Sequence, residues 1–173
     1  MRPIDPRELA DRLQAIPPFH VMEVVRIAEE LESRGVDVIH LEVGEPDFPT
    51  SSSVIERACT ALETGKTRYT DSRGVERLRD ALSVWYQSHG LEVPARRIQI
   101  TMGASAGLLL ASAATTNPGD GVLMADPAYP CNPRFVEAVG GEVHWITTDV
   151  TTRFQPTCKA LEAEATASDR TLM

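Results

Sequence analysis

The 173-residue chain contains no uninterrupted apolar run long enough to cross a bilayer. Met1 to Asp11 carries charges of both signs and has no apolar signal core, so a cytoplasmic location away from membranes is expected. Cysteine is scarce: Cys59, Cys131 and Cys158 are odd in number and widely spaced, with no CxxC and no Cys/His ligand spacing. Neither a disulfide framework nor a zinc site follows, and three reduced thiols are expected. His20, His40, His89 and His144 are scattered without a ligand partner in sequence, so no metal site is expected. Positive charge is short, 17 Lys+Arg against 25 Asp+Glu for a net charge of -8. That balance argues against a nucleic-acid binder and gives no pull toward anionic lipid. Lysine is the rarest charged residue, present only as Lys66 and Lys159. There is no internal repeat and no low-complexity segment.

What is present is an ordinary globular composition, 42% hydrophobic and 24% charged, in a length that fits one domain or part of a larger one. Asp5 to Ala15 reads as a short helix capped by Asp5, and Phe19 to Ser33 as an amphipathic helix turning Phe19, Met22, Val25, Ala28 and Leu31 inward. Val36 to Val43 reads as a short strand or extended run. Helices follow over Ser51 to Thr64 and Val75 to Gly90, the second with Leu78, Leu82 and Trp85 on one side, separated by a polar loop from Gly65 to Gly74. From Arg97 onward the pattern alternates. Strands are expected at Arg97 to Met102, Val122 to Ala125, Glu142 to Thr147 and from Thr171. Helices are expected at Ala104 to Thr116, Asn132 to Val139 and within Phe154 to Ala167. Short connections between alternating elements predict an α/β fold with a mainly parallel sheet. The helix from Ala104 is apolar nearly all round, which predicts burial.

Three turns carry candidate chemistry. Met102-Gly103-Ala104-Ser105 joins a strand to a helix, whose first turn presents N–H groups and the positive end of its dipole. Gly103 lets the backbone approach a ligand and Ser105 adds a hydroxyl, so a phosphate fits there without a charged side chain. A glycine at such a place also serves a plain tight turn. A nucleotide is a further reading of a phosphate site, against which the missing GxGxxG and P-loop lysine count. Asp126-Pro127-Ala128-Tyr129-Pro130 turns at the C-terminal end of a strand, where open α/β sheets place ligands. Tyr129 there either stacks on a planar ring or packs on the core with its hydroxyl in water. The isomer of the Asp126–Pro127 bond is left open. Val43-Gly44-Glu45-Pro46-Asp47-Phe48 is a proline-stiffened turn in which Glu45 and Asp47 read as solvated charges and Gly44 can bring an N–H close to a carboxylate.

These turns occur in a fixed order: Leu41 to Thr50, then Tyr69-Thr70 with Gly74 and Leu78-Arg79, then Met102 to Ser105, then Pro118-Gly119-Asp120, then Asp126 to Pro130. The series resembles the N-terminal part of class I/II aminotransferases, the pyridoxal-phosphate enzymes of fold type I. Two departures stand out: Ala106 where the family often has a polar residue, and Thr50-Ser51-Ser52-Ser53 where a proline usually follows Pro-Thr. The resemblance implies an incomplete large domain of the PLP-dependent transferase fold. Residues 1–45 would be an N-terminal segment of the small domain and 46–173 the start of the large, cofactor-binding one.

By resemblance, pyridoxal 5'-phosphate is the cofactor. Gly103, Ala104 and Ser105 hold its phosphate, Tyr129 stacks on its ring, and Tyr69 reaches the phosphate in a neighbouring subunit of a homodimer. Val43 and Gly44 close over the substrate, an amino acid or a 2-oxo acid. The family's Schiff-base lysine lies beyond the position matching Met173, so no catalytic residue is assigned, and the chain alone is expected to be inactive. A C–S lyase on the same scaffold, or a non-catalytic remnant that binds a partner, are the alternatives. The first large-domain strand would lack its late antiparallel partner, leaving an open edge.

Overall fold

A computed structural model describes residues 9–14, 16–165 and 169–172. They fall into two compact units, one made of Met102–Met173 together with Met1–His20, the other of Val21–Thr101. The division expected from the resemblance, at residues 45/46, concerns the domains of a longer protein; the two units are drawn at other points of the chain.

The first unit is built on three parallel strands. β1 (Gly121–Asp126) lies between β2 (Glu142–Thr147) and β3 (Asp169–Leu172). β1 pairs in register with β2 from Gly121↔Glu142 to Asp126↔Thr147, and a bulge between Gly121 and Val122 shifts its register on β3. A central parallel strand is covered on both faces and so reads as an unbroken apolar run. Accordingly Val122, Leu123 and Met124 are all buried, and Val122, Met124 and Val136 form the core with Ala128 and Val143 against them. The expected α/β class and parallel sheet are both found. α4 (Gly103–Thr115) precedes β1, α5 (Asn132–Ala138) is the crossover to β2, and α6 (Cys158–Glu164) leads toward β3. Asp149 caps a 3-10 turn, Val150–Thr152, after β2, its carboxylate accepting from the Thr151 and Thr152 amides. The Thr151 hydroxyl, donating to the same carboxylate at 2.6 Å, does most to hold the Asp149 carboxyl below the usual range, and the two amides add to it.

The second unit holds α1 from Val21 onward (the helix spans His20–Ser33), α2 (Ser52–Glu63) and α3 (Glu76–Ser88), with no strand among its described residues. One expectation is corrected here, and another takes one of its two alternatives. Residues 36–43 take the non-strand alternative, and the strand expected over Arg97 to Met102 is instead the end of a 3-10 turn, Ala95–Arg97, followed by chain that joins no sheet among the described residues. The physical reason is that a strand needs a ladder. The Ile100 amide instead donates to the carbonyl of Arg73 in the preceding loop at 3.0 Å. The helix expected over Asp5 to Ala15 lies partly outside the described residues; its described part is a 3-10 turn, Asp11–Gln14.

Helix faces also depart from expectation. In α3 the sheltered stripe is Arg79, Leu82, Ser83 and Tyr86, whereas Leu78 and Trp85 are exposed. The stripe is turned because polar groups on it satisfy carbonyls of the chain that folds back. Arg79 Nε and Nη1 donate to the Gly74 and Ala95 carbonyls, both at 3.3 Å, and Ser83 Oγ donates to the Val93 carbonyl at 2.7 Å. In α1 only Ala28 is buried. α4 was expected to be buried, yet Leu109 and Leu110 are exposed and Ser112 is its one buried residue.

Candidate functional site

The ends of α4 and α5 define an edge. α5 runs back from the end of β1 to the start of β2, and α4 packs beside it. Their C-terminal turns meet: the Gly119 amide donates to the Gly140 carbonyl at 2.8 Å, and a Cβ at Gly140 would stand 3.2 Å from Pro118 Cβ. Both helices therefore end where β1 and β2 start. Both begin at the opposite edge, beside the C-terminal ends of the strands.

That edge carries two of the predicted turns. α4 opens at Gly103 with φ +77, and no atom lies within 4 Å of where a Cβ would stand. Met102, Gly103, Ala104 and Ser105 are exposed, and no side chain caps the helix. Nearby, β1 is fastened at its last residue, whose carbonyl accepts from both the amide and the hydroxyl of buried Thr148, each at 2.8 Å. The chain then turns through a cis Asp126–Pro127 bond to Tyr129, whose carbonyl accepts from the Asn132 amide at 3.0 Å. The Tyr129 side chain is 62% exposed. An open, uncapped helix start and an exposed aromatic on a fastened turn fit a phosphorylated planar ring.

The remaining predicted residues belong to the second unit. Tyr69 stands fully in solvent on the loop between α2 and α3, Val43 is exposed, and Gly44 has open space around it. Lys66 shares the Tyr69 loop and Lys159 is an exposed residue of α6. The Tyr69 loop is braced at its far end: the Asp71 carboxylate accepts from the Arg73 amide at 2.8 Å and from the Arg73 guanidinium at 3.1 and 3.2 Å. The Arg73 guanidinium, with its amide, lowers the Asp71 carboxyl to about 2.

Three contributors were not legible in the sequence. Buried Arg79 was read only as part of a motif. Thr148 was not singled out. His40 was set aside as one of four scattered histidines, yet it meets two carboxylates. No spacing rule links His40 to Glu32, because one lies on a helix and the other on the irregular chain beyond it. Among the described residues no group of three His, Cys, Asp or Glu is placed to hold a metal, and no helix is long and apolar enough to cross a membrane.

Comparison with known proteins bears on the whole arrangement. Residues 36–172 match the family Aminotransferase class I and II. The (5-formylfuran-3-yl)methyl phosphate transaminase of Methanocaldococcus jannaschii is 40% identical over 135 residues, 78% of this chain and 36% of that protein. The valine--pyruvate aminotransferase of Mycobacterium tuberculosis is 39% identical over 147 residues, 84% of this chain and 38% of its own length. Among solved structures, the aspartate aminotransferase of Thermus thermophilus with maleate superposes with a TM-score of 0.89 at 34% identity, covering 96% of this chain and 44% of that one. The chain thus spans about two-fifths of the length of these proteins. With its parallel sheet, its helix order and this match over most of its residues, the chain belongs to the class I and II aminotransferase family.

Proposed function

We propose that the chain contributes part of a pyridoxal 5'-phosphate site in an enzyme that moves an amino group between an amino acid and a 2-oxo acid. The backbone amides of Gly103, Ala104 and Ser105, with the Ser105 hydroxyl, receive the phosphate. The Tyr129 ring lies on the pyridine face and fixes its orientation. The bound cofactor supplies the electron sink of the reaction. Val43 and Gly44 border the substrate carboxylate. Tyr69 serves the phosphate of a second subunit in a cytoplasmic homodimer.

The observation that carries this reading is the left-handed, sterically open start of α4 at the edge that also bears Tyr129. A helix start of this kind favours a dianion through its N–H groups and dipole. The relatives' names support aminotransfer in general. Those names give a furan-bearing phosphate ester, valine with pyruvate, and aspartate, so they leave the amino acid unassigned. Equilibrium dialysis of the 173-residue chain against pyridoxal phosphate, with backbone hydrogen exchange read by mass spectrometry, tests the reading. Binding should slow exchange over 103–107, and Gly103→Val should weaken it ~10-fold or more, about 1.4 kcal/mol. Saturable binding that leaves 103–107 unprotected and ignores Gly103→Val would refute the phosphate assignment.

A further inference from the structure

The imidazole of His40 has a carboxylate on each ring nitrogen. Nδ1 lies 2.6 Å from Glu42 Oε1, and Nε2 lies 3.1 Å from Glu32 Oε1. A neutral imidazole owns one N–H and one lone pair, so it can donate to one of them only; the other contact would set a lone pair against an anion. The doubly protonated ring alone suits both. Glu32 is in the last turn of α1, while His40 and Glu42 lie on the irregular chain that runs directly into Val43 and Gly44. The Glu42 side chain is only 13% exposed, while that of His40 is 43% exposed, so the contact is partly open to water.

We propose that His40 is a positioning residue: its second proton closes a tether between Glu32 on α1 and Glu42, and the tether holds the backbone at Val43–Gly44 in place. The consequence for substrate rests on the role given above to that turn; the tether itself does not.

The other charges on these elements leave the three groups to one another. Arg26 and Arg34 both engage Glu30, at 3.3 and 2.8 Å, and do not compete for Glu32. His20, Glu23 and Glu29 on α1, Asp37 on the connecting chain, and Glu45 and Asp47 beyond the turn are the remaining titratable groups. The hydrogen bond to Glu42 chiefly, and then that to Glu32, raise the His40 pKa above its ordinary 6.5. The His40 bond lowers the Glu42 pKa below 4.5. The signs are opposite. The histidine's contribution is complete below 6.5 and is lost as pH rises through its folded value, while the glutamate's is complete above 4.5 and is lost as pH falls. The tether therefore holds across the window between and opens on its alkaline side.

Hydrogen exchange at the histidine C2 position, read by mass spectrometry on the full chain, gives the His40 midpoint directly. Glu32→Gln and Glu42→Gln should each lower that midpoint, and both together should lower it further. Backbone exchange over 40–44, corrected for its intrinsic pH dependence, should accelerate through the same midpoint. In His40→Gln that pH step should vanish while α1 keeps its helical circular dichroism. A His40 midpoint unmoved by either glutamine, or exchange over 40–44 with no step at the His40 midpoint, would overturn the proposal. The experiment contains no pyridoxal phosphate, so its failure leaves the phosphate reading untouched, and failure of that reading leaves the tether standing.

Discussion

Ser112 and Gly103 sit nine residues apart on α4 and make opposite predictions. Ser112 is fully buried, and its hydroxyl has no hydrogen-bond partner among the described residues. A buried hydroxyl left unpaired costs about 1–3 kcal/mol relative to an apolar atom of similar size. Ser112→Ala should therefore stabilise the chain by about 1 kcal/mol once the small cavity is counted, read as a higher urea midpoint. A fall on Ser112→Ala would mean that the hydroxyl has a partner. Gly103 is the converse case. Its φ of +77 lies in the region an L side chain resists, although space for a methyl group is open. Gly103→Ala should cost roughly 1 kcal/mol through backbone strain alone, with no steric clash. The same urea titration reads it, and an unchanged midpoint would show that α4 starts elsewhere.

At the scale of elements, α3 and the two segments it anchors behave as one device. Arg79 is 5% exposed and spends its guanidinium on the carbonyls of Gly74 and Ala95. Between them these bonds fix the end of the Tyr69 loop and the turn before α4. Arg79→Met removes both donors and should cost about 2–3 kcal/mol, because the carbonyls lose their partners in a sheltered place. Arg79→Lys should recover little, since an ammonium lacks the fork that spans two acceptors. Faster backbone exchange over 71–75 and 95–98 in both variants is the expected signature, and unchanged exchange would reject the brace. The Asp71–Arg73 pair adds a pH dependence. With the Asp71 pKa held at about 2, its support of the loop is complete above 3.8 and is lost as pH falls through about 2.

The same elements show what was readable beforehand. Every helix from α1 to α6, with β1 and β2, arises where periodicity and turn residues put it, because those signals are local, and β3 starts two residues before the expected Thr171. The glycine turn that opens α4 at 103–105 and the turn bearing Tyr129 were legible as turns for the same reason. What misled was partnership. Residues 98–101 have strand chemistry, but a strand exists only with a neighbour, and the Ile100 amide goes to the Arg73 carbonyl in a loop. Leu78 and Trp85 look inward by composition, yet Arg79 and Ser83 take the sheltered face because carbonyls from a distant segment arrive there. The His40 contacts depend in the same way on a fold-back that no local pattern records.

For the molecule as a whole, surface area is the deciding quantity. The chain exposes 13897 Å². A folded monomer of this mass should expose about 8,300 Å², and two separate domains of half the mass about 10,000 Å². The excess is on the order of 4,000 Å² by the more generous standard. Much of it is apolar: Met22 and Val24 on α1, Val54 and Leu62 on α2, Val84 and Trp85 on α3 and Leu110 on α4 are all about half exposed or more. Monomeric proteins rarely expose contiguous apolar patches larger than a few hundred Å². The parallel sheet adds two edges, β2 and β3, which are templates for further pairing. The 173-residue chain on its own should therefore bind a hydrophobic dye strongly and self-associate at micromolar concentration. Light scattering and dye fluorescence across a dilution series measure this. A soluble monomer with little dye binding would mean that the chain repacks these faces on its own, the exposed Leu110 face of α4 among them.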